Sequence, residues 1–453
     1  MTHHGDVPRN NAPRNNGPRV IILGAGFAGI RAARSLAHTS AKVTLIDRNN
    51  YHLFQPLLYQ IAIAGLSPAQ IAIPIRSVLR GLSNVEVLLG EVTGIDLSQR
   101  HVRVGNLELD YDYLIVATGS THTYFGHPEW EEDAPGLKTV EDALEIRRRV
   151  LLAFELAERD GLTRGDHHPL NFVVIGAGPT GVELAGAIAD ISKRTLERDF
   201  RAIRPNQARV VLLEGGARIL PSFPPDLSAK AEAQLRELGV EVHTNALVSH
   251  IEANSVTVGG EKIAAAVVLW GAGVAASPLG KMLGAPTDRA GRVIVGPDLS
   301  VPDYPEVFVA GDLAAAKILA PAKINDGKIV PGVASAAVQM GRFAAQQILR
   351  TIAGTPRQEF VYKDKGSLAT IGTSKAVANL GRLHFSGHLA WLAWLVVHLS
   401  FLTGFRNRSM VFLEWAWSYF TFNHGARLIT QSSRTAFPSV QTEIRAAKVI
   451  GNP

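Results

Sequence analysis

The stretch Val20-Ile21-Ile22-Leu23-Gly24-Ala25-Gly26-Phe27-Ala28-Gly29 decides how the rest of this chain is read. Four apolar residues read as a buried strand, Ile30 to Ala37 as a helix, and G-x-G-x-x-G lies between them. In that setting the glycines serve the tight turn, the close approach of backbone to a pyrophosphate, and helix–strand packing. The pyrophosphate then rests on free N–H groups at the helix N-terminus. The pattern returns as Phe172-Val173-Val174-Ile175-Gly176-Ala177-Gly178-Pro179-Thr180-Gly181, 152 positions on from Gly24 to Gly176, with Val182 to Ile191 reading as its helix. One such pattern is weak evidence. Two imply two dinucleotides, most simply a flavin and a nicotinamide.

Lys42 to Asp47 reads as a second strand ending in a carboxylate, 18 positions beyond Gly29. Such an acid accepts hydrogen bonds from an adenosine ribose 2′-OH. Arg209 to Glu214 repeats the arrangement after a longer insert, Ser192 to Asn206, which reads as an extra polar helical stretch. An acid there favours NADH over NADPH, whose 2′-phosphate it would repel. Tyr113 to Ser120, Val267 to Gly273 and Val307 to Asp312 read as further strands running into small-residue turns. Asp312 falls beyond a strand's carboxyl end, where open parallel sheets bind ligands. A turn-forming or helix-capping aspartate would look the same.

At 453 residues the chain is long enough for about three domains. With 46% hydrophobic and 19% charged residues it has the makeup of a packed protein. Met1 to Pro18 lacks an apolar core and reads as a disordered tail rather than a secretion signal. The chain has no cysteine, which removes disulfides, thiolate zinc sites, iron–sulfur ligation and any dithiol electron relay. The pairs His3-His4 and His167-His168 read as solvated, and no metal site is expected.

The last 74 residues, from Leu380, differ from the rest. Leu383 to Phe405 is 23 positions without Asp, Glu, Lys or Arg, long enough to cross a bilayer, although Gly381 and Gly404 weaken a continuous span. Trp391, Trp394, Trp415 and Trp417 cluster here, as at a membrane–water interface. Seven basic residues (Arg382, Arg406, Arg408, Arg427, Arg434, Arg445 and Lys448) face Glu414 and Glu443, so five of the net six positive charges lie here. Basic residues beside aromatic helices read as an interfacial anchor on anionic lipid. A buried core or dimer interface, or a spanning helix, are the alternatives.

Taken in order, Gly24 to Gly29, Ala117-Thr118-Gly119-Ser120, Gly176 to Gly186, Trp270 to Gly273 and Val307 to Asp312 resemble the flavoprotein pyridine-nucleotide oxidoreductases. Asn50 to Gln60 and Gly425-Ala426-Arg427-Leu428 narrow the resemblance to the type II NADH:quinone oxidoreductases, single-subunit respiratory NADH dehydrogenases that pump no protons. The resemblance implies an α/β fold with two Rossmann-like dinucleotide-binding domains and a C-terminal membrane-associating helical region. Residues 1–18 would be a tail, 19–125 with 290–355 the FAD domain, 126–289 the NADH domain, and 356–453 the anchoring and dimerisation region.

Carried over residue by residue, Gly24, Ala25, Gly26, Phe27, Ala28, Gly29, Asp47, Arg48, Val92, Thr118, Asp312 and Ala334 would hold FAD. Gly176, Gly178, Gly181 and Glu214 would hold NADH. Glu183, expected in the first turn of its helix, would sit beside nicotinamide and flavin as the catalytic residue, although an acid stabilised by the helix dipole would look alike. Gln55, Ser335 and Gln339 would meet the quinone. There the chain departs from the family's A-Q-x-x-x-Q, since Ser335 replaces the first glutamine while sharing a helical face with Gln339. The implied partners are a membrane quinone, an anionic lipid surface and a second copy of the chain, with no nucleic acid. The implied place is the cytoplasmic face of the inner membrane, peripherally bound. A soluble flavin reductase for a protein acceptor and a slow redox-sensing flavoprotein are the rival readings.

Overall fold

The computed structural model describes residues 17–164, 170–318, 327–421 and 425–430. The expected N-terminal tail, His3-His4 and His167-His168 therefore fall wholly or mostly outside the described residues. Along the chain run β1 (Arg19–Leu23), α1 (Phe27–Ser35), β2 (Lys42–Asp47), α2 (Leu58–Ala62), β3 (Val85–Leu89) and β4 (Tyr113–Val116). Then come α3 (Val140–Arg164), β5 (Asn171–Ile175), α4 (Pro179–Asp190), β6 (Arg209–Leu213), β7 (Val240–His243) and β8 (Val267–Trp270). The last are β9 (Ser300–Val301), β10 (Tyr304–Val309), α5 (Ala334–Ile352), β11 (Ser367–Thr370), β12 (Ala376–Leu380), β13 (Leu383–Ser386), α6 (His388–Phe401) and α7 (Phe405–Thr421).

These elements segregate into two compact units. The first holds the described residues of Met1–His52, Pro74–Thr121 and Ala275–Asp364; the second holds those of Leu53–Ile73, His122–Val274 and Lys365–Pro453. In the first, six strands are ordered β9-β10-β4-β1-β2-β3. Val20 pairs in parallel with Val43 on one side and Tyr113 on the other. Only β9 runs antiparallel, beside β10. Strands covered on both faces must be apolar throughout, which is why β1, β4 and the end of β10 read as unbroken hydrophobic runs. Ala336, Met340, Ala344 and Ile348, spaced one turn apart, give α5 a fully buried stripe. Helix α1 packs so closely on α5 that a Cβ at Gly341 would fall 2.1 Å from the Ala28 carbonyl oxygen.

The second unit repeats the plan with four parallel strands ordered β7-β6-β5-β8, Phe172 pairing with Val210 and Val267. To this it adds the antiparallel sheet β11-β12-β13 and the helices α6 and α7. The Leu53–Ile73 segment packs within this unit. Asn407 of α7 donates to the carbonyls of Ala69 (3.1 Å) and Gln70 (2.8 Å). Arg147 of α3, buried, donates to those of Ile61 (2.7 Å), Leu66 (2.8 Å) and Ala426 (3.1 Å). Its guanidinium bonds to these three carbonyls, and burial draws its pKa down to about 10.

Three sequence readings shift. Both fingerprint helices start earlier, at Phe27 and Pro179, because the middle glycine is itself the N-cap. The Ser192 to Asn206 insert is helical only as a π-turn, Ile191–Thr195, and a short 3-10 turn, Pro205–Gln207, and Ser192 and Thr195 are buried rather than exposed. The uncharged run from Leu383 to Phe405 is not one helix. It opens as β13, turns at Gly387 (φ 76°), forms the 14-residue α6 and turns again at Gly404 (φ 86°). Among the described residues no helix is long and apolar enough to cross a membrane.

Candidate active site

The two fingerprints solve the same steric problem in the same way. Gly24 (φ 96°) passes under Ala117, where a Cβ would stand 2.6 Å from the carbonyl oxygen; Gly176 (φ 91°) passes under Ala272, where a Cβ would stand 2.5 Å from the Cα. A Cβ at Gly29 or Gly181 would lie 1.8 Å from the carbonyl oxygen of Gly24 or Gly176 respectively. Gly26 and Gly178 differ from these: among the described residues, chain neighbours aside, no heavy atom lies within 4 Å of their Cβ positions. Those two open faces, at the N-caps of α1 and α4, are where a pyrophosphate would approach the backbone.

Each fingerprint also fastens its acid. Asp47 accepts from the Ala25 N–H (2.6 Å) and the Asn49 N–H (2.7 Å). Glu214 accepts from the Ala177 N–H (2.7 Å) and the Gly216 N–H (2.7 Å). Burial pushes the Asp47 carboxyl up, opposed by those two hydrogen bonds. Arg48 beside it is exposed, and Val92 is buried in its strand. His52, which the sequence marks only as part of the Asn50 to Gln60 segment, joins this site. It is buried, its Nδ1 is 2.8 Å from the Ala25 carbonyl, its ring meets Phe27 edge-on, and burial pushes its pKa down.

At the mouth of β10, Asp312 accepts from the Ser120 hydroxyl (2.9 Å) and lies against Gly332, whose Cβ position is 3.3 Å from the carboxyl carbon. Thr118 contributes a buried hydroxyl with no partner among the described residues. An unpartnered buried hydroxyl in the unit that carries the open Gly26 face fits a bound flavin nucleotide. Ala334 opens α5, and Ser335 and Gln339 follow on one face. The Gln339 amide is engaged at both ends: Nε2 donates to the carbonyls of Ser335 (3.1 Å) and Lys363 (3.0 Å), and Oε1 accepts from the Lys363 N–H (3.0 Å). Gln55 belongs to the other unit, just ahead of α2.

In the second unit Glu183 is the fifth residue of α4, and the first turn holds no acid. It therefore lies past the turn where a helix dipole acts most strongly. Glu183, Gly186 and Asp190 share one face of α4, and that face meets the Thr370–Thr373 turn at the end of β11. The Thr373 N–H bonds to Asp190, and a Cβ at Gly186 would sit 2.9 Å from the Gly372 nitrogen. Burial pushes Glu183 up to about 8, with the Thr370 backbone N–H only partly offsetting it. It is a carboxylic acid that keeps its proton near neutral pH. Beside it Tyr59, buried on α2, contacts the Thr370 hydroxyl (3.2 Å). Tyr59 and Thr370 escape a reading of the sequence. Tyr59 stands within the Asn50 to Gln60 segment, but nothing there ties it to position 370.

On α6 and α7 the aromatic residues divide. Trp394 is buried, stacked on His398 (4.4 Å between ring centres), which burial draws down to about 4. So not all four tryptophans occupy an interface. Leu389, Val396, Phe401, Phe405, Phe412, Leu413, Trp417 and Phe420 are exposed, Phe405 to 85%.

Two parallel nucleotide-binding sheets with acids fixed by their glycine loops define a two-dinucleotide oxidoreductase. The chain matches the pyridine nucleotide-disulphide oxidoreductase family over residues 18–341 and the NDH2 C-terminal domain over residues 365–422. It is 45% identical over 430 residues to the type II NADH:quinone oxidoreductase NdhA of Mycobacterium tuberculosis, covering 91% of this chain and 89% of that protein. It is 44% identical to Ndh of the same organism, with 92% and 91% covered. A solved structure described as NDH2 from Plasmodium falciparum in complex with NADH has the same fold, with a TM-score of 0.80 and 22% identity over 92% of this chain and all of that one. The chain belongs to the type II NADH:quinone oxidoreductases.

Proposed function

We propose that the protein oxidises NADH and reduces a membrane quinone, with FAD held by the first unit and NADH by the second. The family carries this reading, and the match to the NDH2 C-terminal domain disfavours a soluble reductase for a protein acceptor. Bound FAD would supply the hydride acceptance from NADH and the two-electron delivery to the quinone. The residues of the chain bind, orient and supply a proton. Gly26 and Gly178 leave room for the two pyrophosphates, Asp47 and Glu214 face the riboses, and Asp312, Thr118 and Ala334 line the flavin side. Glu214 at the second ribose position supports a preference for NADH.

Reduction of a quinone to a quinol by NADH takes up one further proton per turnover. Glu183, protonated below about pH 8, is the group we assign to supply it. On the first unit, Ser335 and Gln339 are the proposed quinone contacts. Gln339 would have to exchange its Lys363 bonds to make one, and Ser335 reaches less far than a glutamine. The exposed apolar side chains of α6 and α7 support seating on lipid, with peripheral attachment to the cytoplasmic face of an inner membrane and pairing of two copies as the finer part of the proposal. Stopped-flow measurement of the two half-reactions in Glu183→Gln tests the assignment. Flavin reduction should persist and quinone-driven reoxidation slow at least about tenfold; unchanged reoxidation overturns it.

A further inference from the structure

Charge is unevenly placed along the Ser192 to Asn206 insert. It carries Lys193, Arg194, Arg198, Arg201 and Arg204 against Glu197 and Asp199. Its two acids and the neighbouring Glu158 are turned to other tasks. Asp199 pairs with Arg427, and Glu197 accepts from the Asn206 amide (2.7 Å). Glu158, on α3, accepts from the backbone N–H groups of Arg201 (2.9 Å), Ala202 (2.9 Å) and Ile203 (3.0 Å). Lys193 donates to the Leu238 carbonyl, and Arg194 pairs with Asp190 (3.6 Å). The side chains of Arg198, Arg201 and Arg204 make no hydrogen bond or ion pair among the described residues, and all three residues are exposed.

The backbone that carries them is pinned. Leu196 is buried, Phe200 meets Phe154 with 6.0 Å between ring centres, and Glu158 holds three successive amides. The same loop lies beside α7, within the second unit. A Cβ at Gly425 would stand 3.5 Å from Glu414 Oε1 of α7, and Arg427, two residues on, pairs with Asp199. With consecutive Cα atoms 3.8 Å apart, that strap bridges helix and insert in at most about 8 Å of chain. Next to Glu414, the residues Leu413, Trp417 and Phe420 follow helical spacing and form an exposed apolar stripe on α7. An apolar stripe flanked by unpaired cations suits a negatively charged membrane, since one part enters the headgroup boundary while the other stays among the phosphates.

We propose that Arg198, Arg201 and Arg204 form a contact for anionic phospholipid headgroups beside the apolar stripe of α7. The inference rests on the seating of α6 and α7 on lipid proposed above. It adds a second surface, from the nucleotide-binding sheet's own insert, that selects lipid by charge. A guanidinium presents a planar fork that matches two phosphate oxygens, and it stays charged at every pH the membrane meets. Exposed cations act over about 8 Å at physiological ionic strength, so this contact yields to salt where the apolar stripe does not.

The test is flotation of the full-length, flavin-containing protein with vesicles of phosphatidylcholine, alone or mixed with phosphatidylglycerol. The parent should bind the mixed vesicles more tightly, and added salt should remove the difference. Arg198→Gln, Arg201→Gln and Arg204→Gln combined should weaken binding to mixed vesicles about a hundredfold, roughly fivefold per arginine, and leave binding to neutral vesicles as it was. Arg198→Lys, Arg201→Lys and Arg204→Lys combined keep the charges and should bind like the parent. NADH oxidation with a short-chain soluble quinone should be unchanged in both triple variants, which shows that each is folded. Leu413→Ser with Trp417→Ser should instead weaken binding to both kinds of vesicle. A glutamine triple variant that holds mixed vesicles as tightly as the parent overturns the arginine contact and leaves the seating on lipid standing. A parent that floats with neither vesicle overturns the seating, and the arginine contact with it.

Discussion

The two nucleotide-binding halves share one backbone solution and differ two positions past the third glycine. Arg31 stands there in α1 and Glu183 in α4. Both helices are approached closely, α1 by α5 at Gly341 and α4 by the Thr370–Thr373 turn at Gly186. On α1 the approaching surface belongs to the same sheet-and-helix core. On α4 it comes from the C-terminal β-sheet, and it turns an ordinary helical glutamate into a half-buried acid. A fingerprint therefore specifies that a dinucleotide binds. What packs against the helix behind it specifies what else happens there.

The largest effects should come from breaking the shared backbone. Gly29→Ala and Gly181→Ala place a methyl group 1.8 Å from a carbonyl oxygen and should each cost about 3 kcal/mol of stability, read by denaturant unfolding. Gly26→Ala and Gly178→Ala, with φ near −68° and −69° and open space ahead, should unfold like the parent yet lose flavin and NADH binding respectively. Equal destabilisation of all four would mean that the open faces are packing sites rather than ligand sites.

Arg147→Ala comes next, since it strips three carbonyls of their cation, two of them on the Ile61 to Leu66 turn. A loss of about 2 kcal/mol is expected by thermal denaturation, with the α2 segment loosened first in hydrogen exchange. Unchanged protection from Leu58 to Leu66 would refute the clamp.

Glu183 gives a pH signature. The folded chain holds the Glu183 proton up to about pH 8, whereas the unfolded chain releases it near the ordinary glutamate value. Between those limits the folded state binds more protons, so this group's stabilisation is full below the unfolded value and is lost as pH rises through about 8. Unfolding measured from about pH 5 to 9 should show that decline in the parent and a flatter profile in Glu183→Gln. Smallest is the change at Glu214: Glu214→Ser should narrow the NADH over NADPH ratio of kcat/KM by about tenfold. A ratio already near one in the parent would displace Glu214 from the ribose site.

Legibility follows sequence distance. The glycines, Asp47, Glu214 and Asp312 can be read because strand, turn and acid lie close together and each answers a local steric or electrostatic demand. The break of the Leu383 to Phe405 run can be half read, from Gly404, but its opening β13 pairs with β12, a tertiary choice that hydropathy alone does not register. The surroundings of Glu183 are out of reach. Tyr59 and Thr370 meet across 311 positions, and neither residue type announces a partner. Gln339 shows the converse: its helical placement is legible, its engagement with the Lys363 backbone is not.

The most direct test of the whole account is an anaerobic titration of the purified, flavin-containing protein. One equivalent of NADH should bleach the flavin absorbance, an equal amount of NADPH should leave most of it, and a short-chain quinone should restore it in full. A flavin that NADH does not bleach, or that quinone does not reoxidise, would contradict the account at its centre.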